Sequence, residues 1–316
     1  MEQLRRAGQR ANRYWAIVFA LTGIVALTAC DTPTADPPLI RYTSQSPTRP
    51  LPTYRLAVYP LHNAVTLSES YQPLIEYLNR QIPAARFELE TARSYAAFEA
   101  GYRAHDPDLI LANPLQSLQA FQSGYTPIAM VGDAQDFRGL FIVRRDSTVQ
   151  RPTDLRGKTL ACASRAALAG CLMPLWFLHQ SGLDLSSEIV LQEVGSQTST
   201  LLNVSLGEVA VGLTWSIPWR VFQRSEPAQA AKLKVLWETD YIMSNSVMLR
   251  RSLPAALQQQ IRHALLNLHT STAGQTVLMN LDIQRFHPAS DTSYAPAQQF
   301  ITRFEREVPS LLMAGK

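Results

Sequence analysis

Cys162 and Cys171 bracket a loop of small residues, ASRAALAG, and their spacing suggests chemistry more directly than any other pair in the chain. Such a pair can form a disulfide, hold a metal ion or stay as two buried thiols. A metal site needs further ligands, and the neighbouring sequence supplies no close histidine or cysteine. A helical pattern follows the loop, so its first backbone N–H groups could also receive an anion. The stretch is therefore a candidate ligand loop.

The amino-terminal segment predicts export. Four arginines between Arg5 and Arg13 precede an apolar run over 15–29, which is shorter than the roughly 20 residues of a membrane span. The run ends in LTAC, which resembles the lipobox of bacterial lipoproteins, where the cysteine, here Cys30, becomes the lipidated first residue. We interpret 1–29 as a lipoprotein signal peptide; the alternative is a membrane anchor with an incidental cysteine.

The charge balance gives little support for nucleic-acid binding. The chain carries +4, and residues 1–29, with four arginines and one glutamate, contribute +3 of it. The mature chain is thus left with +1, too little for a phosphate-binding surface.

Export would also place Cys162 and Cys171 where disulfides form, and a bridge there would stabilise the fold by roughly 2–3 kcal/mol. We favour the disulfide.

Residues 30–53 predict a tether that follows the lipidated cysteine. The segment DTPTADPPLIRYTSQSPTRPLPT contains six prolines, so it favours extended backbone and cannot bury a core. Asp31 resembles the residue that keeps enterobacterial lipoproteins in the inner membrane. We therefore expect the protein at the periplasmic face of a bacterial membrane, the inner membrane being favoured.

From Tyr54 onward, segments typical of strands alternate with segments typical of helices, which predicts an α/β fold with parallel strands. The predicted strands are 54–60, 86–91, 108–112, 127–131, 139–144, 157–163, 189–194, 209–215 and 233–239. The predicted helices are 71–81, 114–123, one after the cysteine loop that ends near Gly182, and an amphipathic stretch over 254–269 in a mainly helical C-terminal third.

Ordered segments between Tyr54 and Tyr294 resemble the phosphate/phosphite/phosphonate-binding proteins of bacterial ABC importers. The segments that carry the resemblance are YRLAVYP, YQPLIEYLNRQ, DLILANPLQSLQA, FIVRRDSTVQRPTDLRGKTLA, GCLMPLWFLHQSGLD and LPAALQQQIRHALLNLH. The resemblance implies the two-lobed type II periplasmic-binding-protein fold, with 54–143 plus 240–316 as the first lobe and 144–239 as the second. It places a small-molecule ligand in the cleft between the lobes.

The ligand residues depart from the family pattern at four places. The family's Ser-Thr-Ser-Gly run aligns with Ala167-Leu168-Ala169-Gly170, so all three hydroxyls are missing. Gln197 replaces a histidine, Ala210 replaces an acidic residue, and Leu115 with Gln116 stands where a tyrosine is expected. The scaffold is kept, whereas the side chains that grip a phosphonate are lost.

Two interpretations follow. In the first, backbone N–H groups still hold an anion, with Arg165 or Arg138 supplying charge. In the second, which we favour, the ligand is larger or less charged, and an apolar lining from Leu115, Leu168, Trp215 and Tyr241 meets it. The candidate ligand residues are His62, Asn63, Asn113, Gln116, Arg165, Ala167, Leu168, Ala169, Gly170, Gln197, Trp215 and Tyr241.

Several candidates have plainer interpretations. His62 and Asn63 could form an exposed turn, and Asn113, just before a proline, could simply cap a helix. Arg165 could be a solvated loop charge. Trp176 and Trp237 have the spacing of packing residues. His263 and His269 are too far apart along their helix to make a metal pair.

The sequence contains no nucleophile elbow, P-loop, H-E-x-x-H helix or dinucleotide-binding fingerprint, so we expect no enzyme activity, cofactor or metal. The resemblance implies a monomer that delivers its ligand to an ABC permease in the membrane. The alternative is a ligand-sensing lipoprotein that presents its bound state to a membrane sensor kinase.

Overall fold

Within residues 50–309 the alternating pattern forms eleven strands and ten α-helices. The computed structural model describes residues 50–309. The predicted signal peptide, Cys30, Asp31 and the tether up to residue 49 lie outside the described residues. The strands are β1 Thr53–Val58, β2 Arg86–Thr91, β3 Leu109–Ala112, β4 Tyr125–Val131, β5 Arg138–Arg144, β6 Lys158–Cys162, β7 Ile189–Glu193, β8 Val211–Trp215, β9 Leu233–Tyr241, β10 Ser246–Arg250 and β11 Phe286–Pro288.

The helices connect these strands and cover both sheets. They are α1 Ala64–Gln81, α2 Tyr95–Arg103, α3 Pro114–Gln122, α4 Met173–Gln180, α5 Gln197–Leu206, α6 Ser216–Ser225, α7 Pro227–Ala230, α8 Ala255–Leu266, α9 Thr272–Leu281 and α10 Ala295–Glu307. A single π-helical turn, Leu168–Leu172, leads into α4. No helix within residues 50–309 combines the length and the apolar character that a membrane crossing requires.

The strands form two sheets, one per lobe. The first has the order β11-β4-β10-β3-β1-β2, and the second has the order β7-β6-β8-β5-β9. In the first sheet β1 pairs in parallel with β2 and β3, and in the second β6 pairs in parallel with β7 and β8. Such sheets are covered on both faces, which explains why every residue of β3, LILA, is buried. The predicted α/β architecture is confirmed.

The chain crosses between the lobes at two places, after β4 and after β9. Strand β5 pairs with β8 and β9, so the lobe boundary predicted after residue 143 cuts through a strand of the second sheet. The first crossing contains the short turn Ala134–Asp136, and the second is the stretch from Ile242 to Asn245. The largest apolar cluster includes residues of both lobes, among them Leu111 of β3 and Leu213 of β8.

Candidate functional site

The two lobes face each other with the carboxyl ends of their central strands. Tyr59 follows β1, Asn113 follows β3, the cysteine loop follows β6, and Trp215 ends β8. Helices α3 and α6 begin at the ends of β3 and β8, and α5 begins after β7, so the N-terminal ends of three helices are directed at the same region. The fold therefore gathers polar groups from distant parts of the chain at one crevice.

Asn113 joins the two lobes while it caps a helix. Its side-chain oxygen accepts a hydrogen bond from the Gln116 backbone N–H at 3.1 Å, and the Gln116 side chain accepts from the Asn113 N–H at 3.3 Å. Its Nδ2 also donates to the Ala166 carbonyl in the second lobe at 2.8 Å. Asn113 thus fulfils the predicted capping role, and the same amide brings the walls of the crevice into contact.

Gln197 is fully buried in the first turn of α5, and a hydrogen bond fixes the oxygen of its side-chain amide. Its Oε1 accepts a hydrogen bond from the Thr214 hydroxyl at 2.9 Å, which turns its Nε2 away from Thr214. Gly170 lies against this amide: a Cβ there would stand 3.0 Å from the Gln197 side-chain carbon and oxygen and closer still to the nitrogen. The glycine is needed for this close approach, which places the polar end of Gln197 on the ligand loop.

Two tyrosines and an asparagine form the facing part of the first lobe. The Tyr59 hydroxyl accepts a hydrogen bond from Asn245 Nδ2 at 2.8 Å, and the Tyr59 and Tyr95 rings lie 5.6 Å apart. Burial raises the pKa of Tyr95, and the neighbouring amide of Gln197, in the second lobe, offsets part of that rise. Burial likewise raises the pKa of Tyr59. Both phenols are therefore neutral hydrogen-bonding groups.

Several buried polar atoms in and beside this crevice lack hydrogen-bond partners. Four of them line the contact between the lobes: Tyr95 Oη, Gln116 Nε2, Gln197 Nε2 and Asn245 Oδ1. The hydroxyls of Ser117 and Ser246 lie beside that of Tyr294, so these three can bond to one another. A buried polar atom without a partner costs about 1–3 kcal/mol, so such a group of atoms is typical of a ligand or water site.

The ligand loop of the second lobe presents little side-chain polarity. Ala167, Leu168 and Ala169 are all buried, and a disulfide joins Cys162 at the end of β6 to Cys171 in the π-helical turn, the pairing favoured from the sequence. Among the described residues, the backbone N–H groups of positions 168–171 have no hydrogen-bond acceptor. The loop therefore offers backbone donors where the family offers hydroxyls.

Arg165 is bound to an acidic neighbour. Its backbone N–H donates to Glu193 Oε2 at 2.8 Å, and its guanidinium forms an ion pair with the same carboxylate. The positive charge is thus already countered within the second lobe. Trp215 is buried, and its ring packs on Phe137 with the ring centres 5.2 Å apart, so its main contacts are those of a core residue.

Three predicted ligand residues lie apart from this group. Asn63 is exposed and caps α1 by accepting from the Thr66 N–H at 3.0 Å. Tyr241 is half exposed at the end of β9, next to the Arg138 guanidinium. His62 is buried; burial, with a smaller contribution from nearby Arg224, lowers its pKa to about 4.

Ala210, one of the four departures from the family pattern, lies away from the crevice. Ala210 immediately precedes β8, whereas the crevice lies at the other end of that strand, at Trp215. The loss of an acidic residue at position 210 therefore does not change the wall of the crevice.

Sequence reasoning missed the polar wall of the first lobe. Tyr59 fell inside a predicted strand, and no helix was predicted around Tyr95 or strand at Ser246. Asn245 meets Tyr59 across 186 positions of sequence, so only the folded chain brings them together. The one available signal was that Tyr59 follows an apolar stretch at the end of the first strand.

The remaining candidates have structural roles in the described part of the chain. Trp176 packs on Phe300 and Phe304, and Trp237 packs on Phe141, as predicted from their spacing. No group of three histidine, cysteine, aspartate or glutamate side chains in residues 50–309 is placed to hold a metal ion. Five surface grooves of about 250 to 700 Å³ lie elsewhere, and none is lined by a predicted ligand residue.

Comparisons with known proteins agree with this architecture. The chain is 25% identical over 206 residues to the phosphate-import protein PhnD of Mycolicibacterium smegmatis, covering 60% of this chain and 64% of that relative. PhnD1 of Prochlorococcus marinus, solved with methylphosphonate, superposes with a TM-score of 0.73 at 18% identity, covering 80% of this chain and 98% of PhnD1. A binding-protein component of a phosphonate ABC transporter from Pseudomonas aeruginosa superposes with a TM-score of 0.75 at 17% identity, covering 83% of this chain and 89% of that one.

The match to the first relative spans just under two thirds of that relative's length. The two superpositions confirm the type II periplasmic-binding-protein fold. The family model described as "ABC transporter, phosphonate, periplasmic substrate-binding protein" matches residues 56–294, which include both sheets and the crevice between them. The chain belongs to this family of periplasmic substrate-binding proteins, and its members are binding proteins rather than enzymes.

Proposed function

We propose that the protein is a lipid-anchored solute-binding protein of an ABC importer that closes its lobes around a small polar solute of little or no charge. Its family supplies the general role, which is capture of a solute in the periplasm for a membrane permease. The departure in ligand class is supported by one observation, which is the neutral character of the buried side chains at the crevice. We expect a monomer that uses no cofactor.

Five of the polar side chains at the crevice are uncharged. Tyr59, Tyr95, Gln116, Gln197 and Asn245 supply hydroxyl and amide groups only. Neutral donors and acceptors suit hydroxyl, amide or carbonyl groups of a ligand, because each can form a full hydrogen bond without burying an unpaired charge.

One buried charged pair lies at the far end of the first sheet. Asp108 precedes β3 and pairs with Arg250 at the end of the antiparallel strand β10. Arg165, the one arginine on the ligand loop, is paired with Glu193. A dianionic ligand would therefore meet dipoles and one arginine, Arg165, whose charge is paired with Glu193 and whose buried Nε keeps an unpaired N–H. The three missing hydroxyls would cost about 1 kcal/mol each in binding.

A second candidate is a small oxyanion held by the main chain. The free N–H groups at 168–171 favour it, because consecutive unpaired amides at the start of a helical turn attract negative charge. PhnD1 of P. marinus was solved with methylphosphonate, so this probe tests the second candidate directly.

A thermal-shift screen separates the two candidates. The protein would be the chain from Pro50 to Lys316, which forms one compact unit. The panel contains phosphate, phosphite, methylphosphonate, aminoethylphosphonate, alkyl sulfonates and uncharged polar metabolites. A ligand present at 100 times its Kd adds about 2.7 kcal/mol of stability, which is readily measured as a rise in Tm. We expect rises only with uncharged compounds; tight binding of methylphosphonate would overturn the proposal in favour of the second candidate.

The anchor and the partner are tested in cells. We propose that Cys30 is lipidated and that Asp31 retains the protein at the inner membrane. Cys30→Ala should release the protein from the membrane fraction, whereas an unchanged distribution would contradict lipidation. Deleting the cognate permease should abolish uptake of the ligand; loss of a transcriptional response with uptake intact would instead favour the sensor-kinase alternative.

A further inference from the structure

A second contact between the lobes lies away from the crevice and is built from charges. Asp282 belongs to the first lobe, where it ends α9 with the left-handed backbone angle φ of 58°. Arg220 and Arg224 belong to α6 of the second lobe, one helical turn apart. Both guanidinium groups pair with the Asp282 carboxylate, and Arg220 Nη2 also donates to the Asp282 carbonyl at 3.2 Å.

A fourth residue ties this group to the crossing between the lobes. Asp136 lies in the short turn between β4 and β5 and accepts a hydrogen bond from Arg220 Nη1 at 2.8 Å. Burial alone would lower the pKa of Arg220, but its hydrogen bonds to Asp136 and Asp282 outweigh burial and raise it. We call Asp136, Arg220, Arg224 and Asp282 the interlobe ionic cluster.

The charges in the cluster balance. Two arginines face two aspartates, and His62, buried next to Arg224 and Asp282, stays neutral at pH 7 because burial lowers its pKa to about 4. The Asp282 side chain is only 13% exposed, so it is screened from solvent much more than a typical surface carboxylate. Salt therefore screens this pairing less than it screens an isolated surface ion pair.

The partners move with different lobes. Helix α6 packs on β8 and β5 of the second sheet, whereas α9 packs on α1 of the first lobe. Rotation of one lobe relative to the other would separate Arg220 and Arg224 from Asp282. An interaction made in only one of two conformations shifts their populations by its full free energy.

We propose that the interlobe ionic cluster is a latch that favours the closed arrangement of the lobes, independently of contacts to the ligand. The latch raises the apparent affinity for the ligand, because a larger fraction of the molecules has the lobes in the closed arrangement that holds it. The proposal does not depend on the class of ligand, so failure of the proposed function would leave it unaffected.

The test measures the open and closed populations of the Pro50–Lys316 chain by small-angle X-ray scattering, without added ligand. Asp282→Asn removes the shared carboxylate, and the double variant Arg220→Gln/Arg224→Gln removes its partners from the more exposed side. Asp146→Asn is the matched control, because it breaks the Arg144–Asp146 pair within the second lobe. Each protein is measured at 50 mM and 1 M NaCl.

We expect both cluster variants to increase the ratio of open to closed molecules roughly tenfold. High salt should increase the ratio in the wild type and in the control, which keep the cluster, but not in the cluster variants. The control should match the wild type. Unchanged scattering in both cluster variants would overturn the proposal. An increase in only one of them would also overturn it, because a latch requires both sides of the pairing. Circular dichroism identifies an unfolded variant, and the other variant then decides.

Discussion

The two walls of the crevice differ in how they present polarity. The first-lobe wall, formed by Tyr59, Tyr95, Gln116 and Asn245, carries polar side chains, three of which keep an unpaired atom. The second-lobe wall, formed by the loop 167–170 and Gln197, carries buried alanine and leucine side chains on a loop fixed by a disulfide. In the family pattern given above the hydroxyls lie on the loop of the second wall, whereas in this chain most of the polar side chains lie on the first wall and Gln197 is the polar side chain of the second.

This difference is the basis of the proposal that a family scaffold here serves a different ligand. The second wall keeps the features that the fold requires, which are the close approach at Gly170 and the free amides at the start of a helical turn. It has lost the side chains that only an oxyanion requires. The first wall supplies neutral groups that suit a different ligand, without any change in the order of strands and helices.

The largest expected effect comes from returning hydroxyls to the second wall. The triple variant Ala167→Ser/Leu168→Thr/Ala169→Ser restores three donors, each contributing about 1 kcal/mol. Together they should lower the Kd for methylphosphonate about 100-fold, because each 1.4 kcal/mol is a factor of ten. Isothermal titration calorimetry measures the change.

The matched control adds the same number of hydroxyls far from the crevice. Serines at three exposed alanines should leave the Kd unchanged; these are Ala104, Ala228 and Ala231. A folded triple variant with wild-type affinity would show that the missing hydroxyls do not explain the ligand class.

A second effect concerns the first lobe, where His62 is buried. Its pKa is about 4 in the folded protein, mainly through burial, against an ordinary value of 6.5. Between pH 6.5 and pH 4, His62 therefore binds a proton in the unfolded chain but not in the folded protein. The contribution of His62 to the free energy of unfolding is therefore fully present above pH 6.5 and is lost as the pH falls through 4, by about 3 kcal/mol in total.

Urea unfolding at pH 7, 5.5 and 4 measures this loss. His62→Gln should remove about 3 kcal/mol of the pH dependence. Identical pH profiles for the wild type and His62→Gln would mean that His62 accepts a proton in the folded protein.

The third effect is on the stability of the second wall. Replacing both loop cysteines, Cys162→Ala/Cys171→Ala, removes the disulfide and should lower the free energy of unfolding by about 2–3 kcal/mol, since the bridge restricts the unfolded chain. Adding dithiothreitol to the wild type should give a similar loss, and adding it to the double variant should give none. If reduction by dithiothreitol leaves the free energy of unfolding of the wild type unchanged, Cys162 and Cys171 do not form a disulfide.

Much of the fold could be predicted because periodicity is a local property. Strand β2 was predicted with the bounds it has, and Gly182 follows the end of α4 as predicted. Helix α1 begins seven residues before its predicted start, because Asn63 caps it and Pro73 is tolerated inside it. Helix α5 was anticipated only as a helix that Gln197 could cap and was given no bounds, since its sequence QTSTLLNVSL is rich in residues of low helix propensity.

The site could be predicted only on the wall that resembles a known loop. The segment around Gly170 is continuous in sequence, so its position and its lost hydroxyls were recognised. Strand β10, which follows Asn245, is defined mainly by pairing with β3 and β4, and pairing is not visible in a five-residue segment. Wall residues that come from separate elements carry no common sequence signal.

The smallest expected effects have opposite signs on the two walls. Tyr95 Oη is buried and makes no hydrogen bond of normal geometry, although the Gln197 amide lies near it. Tyr95→Phe therefore removes a desolvated hydroxyl and should raise the free energy of unfolding by roughly 1 kcal/mol. Thr214 Oγ1 donates to Gln197, so Thr214→Val leaves a buried acceptor unpaired and should lower it by about the same amount. Both replacements keep the shape of the side chain, and urea unfolding at pH 7 measures both. A loss of stability in both variants would mean that the Tyr95 hydroxyl is satisfied in the folded protein, and the first wall would then have no advantage over the second in receiving a neutral ligand.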